Sequence, residues 1–144
     1  MNHDDCVFCK IVRGELPSAK VYEDESVYAF LDISQVTEGH TLVIPKMHAT
    51  DIYELPEDVA GNLFRPIPKI ARAIKRAYRP IGINLLNNNE AGAGQTVFHI
   101  HIHIIPRYSG ISDGFNVKWV RRDGEYDYDR LGQIAERIAK HMNE

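Results

Sequence analysis

The stretch that decides the fold is Phe98-His99-Ile100-His101-Ile102-His103-Ile104-Ile105. One polar and one apolar type alternate strictly, which is the period of an extended strand whose successive side chains point to opposite faces. Val97 to Ile105 therefore reads as a strand, with His99, His101 and His103 on one face and Ile100, Ile102 and Ile104 on the other. Neighbouring histidines then stand roughly 6–7 Å apart, twice the strand rise. That distance suits separate contacts around one phosphate, or a division of labour between two sites. Paired histidines at i and i+2 are also a zinc-ligand arrangement, so metal binding by this strand stays open here. A purely structural row of three imidazoles would waste strand propensity.

Just upstream, Asn87 to Gly94 is a polar, glycine-bearing loop, followed by Gln95 and Thr96 where the chain enters the strand. Such a turn can aim backbone N–H groups at an anion. Asn89 adds another amide, and neutral donors beside a row of imidazoles read as a phosphate cradle.

Further outward, Val21–Glu23 and Ser26–Leu31 read as short strands separated by Asp24-Glu25, and Thr41–Pro45 as an apolar strand stopped by its proline. Asp32 to Gly39 is a polar loop. From Leu55 to Tyr78, apolar residues recur at three- and four-residue spacing, the period of a helix. Pro66 and Pro68 predict a bend or break near Arg65–Pro68. Ile81–Leu86 reads as a strand, Asn116–Val120 as another short one, and Asp129 to His141 as a final helix. The expectation is an α+β fold: an antiparallel sheet of about five strands, one long helix and a C-terminal helix.

The 144 residues fit one domain, spanning 1–144, and the 44% apolar and 26% charged fractions are ordinary for a soluble protein. A net charge of −3 supplies no basic field to recruit nucleic acid, so a nucleotide site must be built locally. Met1 to Asp5 holds two acids and no cationic segment, and no apolar run approaches the roughly 18 residues of a spanning helix. The expected location is cytoplasmic, with no membrane partner. In that reducing compartment the two cysteines, Cys6 and Cys9, read as a metal half-site or a redox pair rather than a disulfide.

His99-Ile-His-Ile-His103-Ile-Ile matches the histidine triad pattern without deviation. Cys-Val-Phe-Cys-Lys-Ile from Cys6, Ala29-Phe-Leu-Asp-Ile33 and Gly39-His-Thr-Leu-Val-Ile-Pro-Lys46 follow the same order. From Cys6 to about Trp119 the sequence resembles the bacterial branch of the histidine triad (HIT) family of nucleotide hydrolases, leaving a tail and helix at 120–144. The resemblance implies that His101 attacks the α-phosphorus of a purine nucleotide and forms a nucleotidyl-histidine intermediate, which water hydrolyses. It gives His103 a phosphate contact and assistance to the leaving group, and makes His40 a fourth catalytic histidine. Asp32 matches the residue that holds ribose hydroxyls. Asn89, Gly94, Gln95, Thr96 and Val97 fall in the phosphate loop, and Phe8, Ile11, Phe30, Ile33 and Leu42 in the apolar base pocket.

Bacterial members also use a Cys-x-x-Cys pair with two histidine positions that correspond here to His48 and His99. The resemblance thus implies a structural zinc held by Cys6, Cys9, His48 and His99, all four positions being protein ligands. It further implies a homodimer with joined sheets. The expected activity is hydrolysis of nucleoside phosphoramidates or dinucleoside polyphosphates, releasing a nucleoside monophosphate. The alternatives are a nucleotide-binding adaptor with only slow catalysis, a zinc enzyme using the histidine strand, and nucleotidyl transfer to another acceptor.

Overall fold

Apolar residues on both faces of a strand mark it as covered from both sides. Thr41–Pro45 is such a strand, and all five of its residues are buried. In the computed structural model, which describes residues 3–144, it forms β3 of a five-stranded sheet. Met1 and Asn2, part of the Met1–Asp5 stretch, lie outside the described residues. The other strands are β1 (Lys20–Glu23), β2 (Val27–Leu31), β4 (Gly82–Leu86) and β5 (Ile102–Arg107), in the spatial order β1-β2-β3-β5-β4. Every pairing is antiparallel.

Two apolar layers flank the sheet. On one face Val27, Ala29, Val43, Ile102 and Ile104 meet Leu63 of helix α2 (Glu57–Phe64) and Ile67, Ile70 and Ile74 of helix α3 (Ile67–Tyr78). The predicted break is present: α2 ends at Phe64 and α3 begins after Pro66, where ring constraints favour a helix start over an interior. On the other face Tyr28, Phe30, Leu42 and Ile44 pack against Phe8 and Ile11 of helix α1 (Val7–Val12). His103 pairs with Leu42 across β3 and with Leu86 across β4, so the second face is also the histidine face.

The histidine segment departs from its expected geometry. The ladder begins at Ile102, not Val97, so His99 and His101 lie just before β5. Extended antiparallel register would bring Ile100 opposite Pro45, which has no N–H to donate. The chain turns instead to the loop after β3, and Ile100 N–H donates to the Ala49 carbonyl at 2.8 Å.

Asn116–Val120 forms no strand; it meets no free edge, and all five of its residues are exposed. The final helix, α4 (Tyr128–Ala139), is capped by the Asp127 carboxylate and buries no residue. Among the described residues, no helix is long and apolar enough to cross a membrane.

Candidate active site

His101 is 6% exposed, and its Nδ1 lies 2.8 Å from the His99 carbonyl oxygen. A carbonyl only accepts, so Nδ1 carries the proton and Nε2 keeps a lone pair. Phe8 stands edge-on to the ring, with centroids 5.2 Å apart. Burial depresses the basicity of His101, against the opposing pull of the His99 carbonyl and the Asp32 charge. The side chain is thus an uncharged imidazole with one bare nitrogen.

The same reasoning fixes the proton on His103. Val36 N–H donates to His40 Nδ1 at 3.3 Å, which leaves the His40 proton on Nε2. That nitrogen lies 2.9 Å from His103 Nδ1, so His103 accepts there and carries its own proton on Nε2. Burial first, then neighbouring His101 and His40, push His103 down to about 4. His40, 2% exposed, stands behind His103 and reaches the site through that contact. The Asp32 carboxylate anchors one oxygen on Ser34 N–H at 2.8 Å and turns the other toward His40 Nε2, 3.6 Å away.

Two amides of the loop are committed to holding the protein's own backbone. Buried Gln95 accepts from Glu90 N–H at 2.7 Å and donates to the Thr50 and Val97 carbonyls at 2.7 and 3.1 Å. Its amide braces the loop, and the phosphate contact expected of it is not available to that side chain here. Asn89 is engaged in part, accepting from Ile52 N–H at 2.8 Å and donating one amide proton to the side chain of Asn87, at Oδ1, at 2.6 Å. Thr96 is exposed beside them, Val97 packs on the apolar layer, and Gly94 takes the left-handed φ of 97° that closes the turn. The sequence reading missed Asn87, whose Nδ2 donates to the His101 carbonyl at 3.0 Å. Its only sign was its place in a run of three asparagines ending a strand.

Phe8, Ile11, Phe30 and Leu42 form one buried cluster under the histidines. Ile33 does not join it; just past the end of β2, it is 98% exposed. A cavity of about 830 Å³ lies between α3, β1 and the loop after β2; Asp32 and Ile33 line it, but none of the triad histidines does. Its other walls include the apolar Val21, Ile70 and Ile74.

Cys6, Cys9, His48 and His99 each bring one ligand atom within 4.8 Å of the others. Cys6 caps α1 and positions Cys9 on its first turns, while His48 follows β3. His99 Nε2 donates to the Pro45 carbonyl at 2.8 Å, leaving Nδ1 bare and facing both sulfurs at 3.5 Å. Cys9 Sγ lies 3.4 Å from His48 Nδ1. Tetrahedral zinc, with bonds of about 2.3 Å to sulfur and 2.0 Å to nitrogen, sets sulfur and nitrogen about 3.5 Å apart. The residues fit that ion. Burial, then the Cys6 contact, push the Cys9 thiol up to about 11, so it ionises at neutral pH only beside a cation. The His3 ring stacks on His48, with centroids 3.6 Å apart.

Asp32, His40 and His103 also gather ligand atoms within 4.8 Å. Here the protons argue against a metal, because His40 Nε2 carries one and has no lone pair to give. The carbonyl-bonded His99 and the amide-bonded His40 present opposite faces of the same chemistry.

The comparisons with known proteins agree with this geometry. The HIT domain profile matches residues 13–110. Protein hit of Bacillus subtilis is 55% identical over 139 residues, covering 96% of this chain and 95% of its own. An adenosine 5′-monophosphoramidase of Candida albicans is 34% identical, covering 98% and 93%. The crystal structure of a HIT family member from Bacillus subtilis superposes with a TM-score of 0.93 at 55% identity, over 96% of this chain and 98% of that one. A zinc-bound histidine triad family protein from Mycobacterium smegmatis has a TM-score of 0.72 at 38% identity, over 92% and 96%. With its triad, its five-stranded sheet and these relatives, the chain belongs to the HIT family.

Proposed function

We propose that the protein is a nucleotide hydrolase that cleaves at the α-phosphate of purine nucleoside phosphoramidates or dinucleoside polyphosphates and releases a nucleoside monophosphate. The observation that carries this reading is the 2.8 Å contact from His101 Nδ1 to the His99 carbonyl, which leaves Nε2 free as a nucleophile. Nε2 forms a bond to the α-phosphorus as the bond to the leaving group breaks. The leaving group departs with that electron pair and takes up a proton from water. Attack makes the ring an imidazolium, and the His99 carbonyl stabilises its Nδ1–H. Water then attacks the phosphorus and gives a proton back to the solvent, balancing the one the leaving group took. The P–N bond breaks with its electron pair returning to Nε2, and the neutral imidazole is restored.

The other residues have separate duties in this proposal. His103 Nε2–H donates a hydrogen bond to the phosphate or the bridging atom as charge develops there. Asp32 accepts from the ribose hydroxyls through the lone pairs that Ser34 N–H and His40 leave on its carboxylate. Gly94, Thr96 and Val97 line the phosphate, while Gln95 and Asn89 keep their loop in shape. Phe8, Ile11, Phe30 and Leu42 floor the base pocket, and exposed Ile33 closes over the base. That a relative with near-complete overlap is an adenosine 5′-monophosphoramidase favours the adenosine phosphoramidate branch.

A structural zinc on Cys6, Cys9, His48 and His99 belongs to the proposal. It would tie α1 to the end of β3 and to the segment entering β5, without an open position for chemistry. We also take the working unit to be a homodimer. β4 is an edge strand with Leu85 and neighbouring Ile81 exposed, and among the described residues amphipathic α4 finds no cover.

Trapping tests the covalent step. Protein mixed with adenosine 5′-phosphoramidate and quenched within one turnover should gain the mass of one adenylyl group on the peptide carrying His101. Steady release of AMP with no adduct at any time would mean direct attack by water and would overturn the mechanism.

A further inference from the structure

We infer that Asn87 and Asn89 form a positioning relay, anchored on the loop after β3, that holds the main chain of His101 in place for attack. His101 lies in the gap between two regular supports. β4 and β5 last pair at Leu86 and His103, and the β5 ladder starts only at Ile102. The His101 carbonyl therefore has no partner in a ladder, and Asn87 Nδ2 supplies one at 3.0 Å. Asn87 Oδ1 in turn accepts from Asn89 Nδ2 at 2.6 Å, and Asn89 Oδ1 accepts from Ile52 N–H at 2.8 Å. Each amide has a donor on one side and an acceptor on the other, so the chain of three bonds has a single direction.

The anchor is itself held at several points. Ala49 accepts from Ile100 N–H, Thr50 from the Gln95 amide, and His48 faces Cys9 Sγ. Residues 48–52 thus touch the proposed metal cluster, the peptide before His101, the phosphate loop and the asparagine relay. The nucleophile is gripped through Ile100 N–H on one side and its own carbonyl on the other. Loss of the second grip frees the peptide and lets the ring leave the His99 carbonyl. The catalytic consequence rests on the proposed hydrolase reading; the placement of His101 does not.

The test compares wild type with Asn87→Ala and Asn87→Asp. Aspartate keeps the shape and the acceptor facing Asn89 but sets an oxygen against the His101 carbonyl. Long-range proton–nitrogen spectra of 15N-histidine-labelled protein, with the signals assigned through His101→Ala, read the His101 tautomer directly. Wild type should show one Nδ1–H form, and both Asn87 variants should shift toward a mixture of the two tautomers. In the same variants kcat should fall about ten- to hundredfold, with KM within twofold. A His101 spectrum in Asn87→Asp identical to wild type would overturn the relay. If wild type releases no AMP from any nucleotide yet the variants still shift the tautomer, the relay stands and the hydrolase reading fails.

Discussion

His40 Nε2 lies 2.9 Å from His103 Nδ1, and the proton between them belongs to His40 because Val36 N–H occupies its other nitrogen. His103 must then present Nε2–H outward as a donor. Removing His40 frees His103 to take the other tautomer and present a lone pair instead. His40→Ala should cost up to about a hundredfold in kcat on the phosphoramidate, whose leaving group needs a donor. On an aryl ester of AMP, which leaves readily unaided, the loss should stay within a few-fold. Equal losses on both substrates would show that His40 does not act through the leaving group.

The acid side of the rate profile follows from burial. Attack needs neutral His101, whose basicity burial holds below the ordinary 6.5. The rate kcat/KM should be level from pH 8 down to about 6.5 and fall only below it. Stability has the same direction. The unfolded chain protonates His103 from 6.5 downward, while the folded chain resists until about 4. Its contribution is thus complete above pH 6.5 and is lost as the pH falls toward 4. Melting temperature against pH, in wild type and His103→Gln, isolates that share. An acid limb centred above 6.5 would contradict the burial argument.

The cysteine–histidine cluster makes a separate prediction about metal. Purified protein should carry one zinc per chain by elemental analysis, and Cys9→Ser should carry far less. Losing the ion unties α1 from the sheet, so the variant should melt at least about 4 °C lower, the shift that about 1 kcal/mol makes in a domain of this size. Zinc content near zero in wild type, or equal melting points, would remove the metal from the account.

Much of the sheet was legible because its signals are local. The apolar run Thr41–Pro45 and the prolines at 66 and 68 each act within a few residues, and each element sits where they direct. The histidine segment was legible in chemistry but not in backbone, since alternation cannot reveal that Pro45 lacks the N–H that would extend the ladder. Helix α1 was missed because its six residues are too few to show a period, and its cap is a cysteine. Gln95 and Asn89 illustrate a deeper ambiguity: an amide that binds phosphate and one that braces a loop are the same residue type. Asn87 was invisible for the same reason, its partner being a carbonyl fourteen residues away.

The central claim is that His101 is the nucleophile, and AMP release from adenosine 5′-phosphoramidate and from diadenosine polyphosphates tests it most directly. Wild type should release AMP, and His101→Ala, with its fold verified by circular dichroism, should lose about four orders of magnitude or more in kcat. A His101→Ala protein as fast as wild type would contradict the claim. If both proteins bind AMP but neither releases it, the reading as a nucleotide-binding protein takes its place.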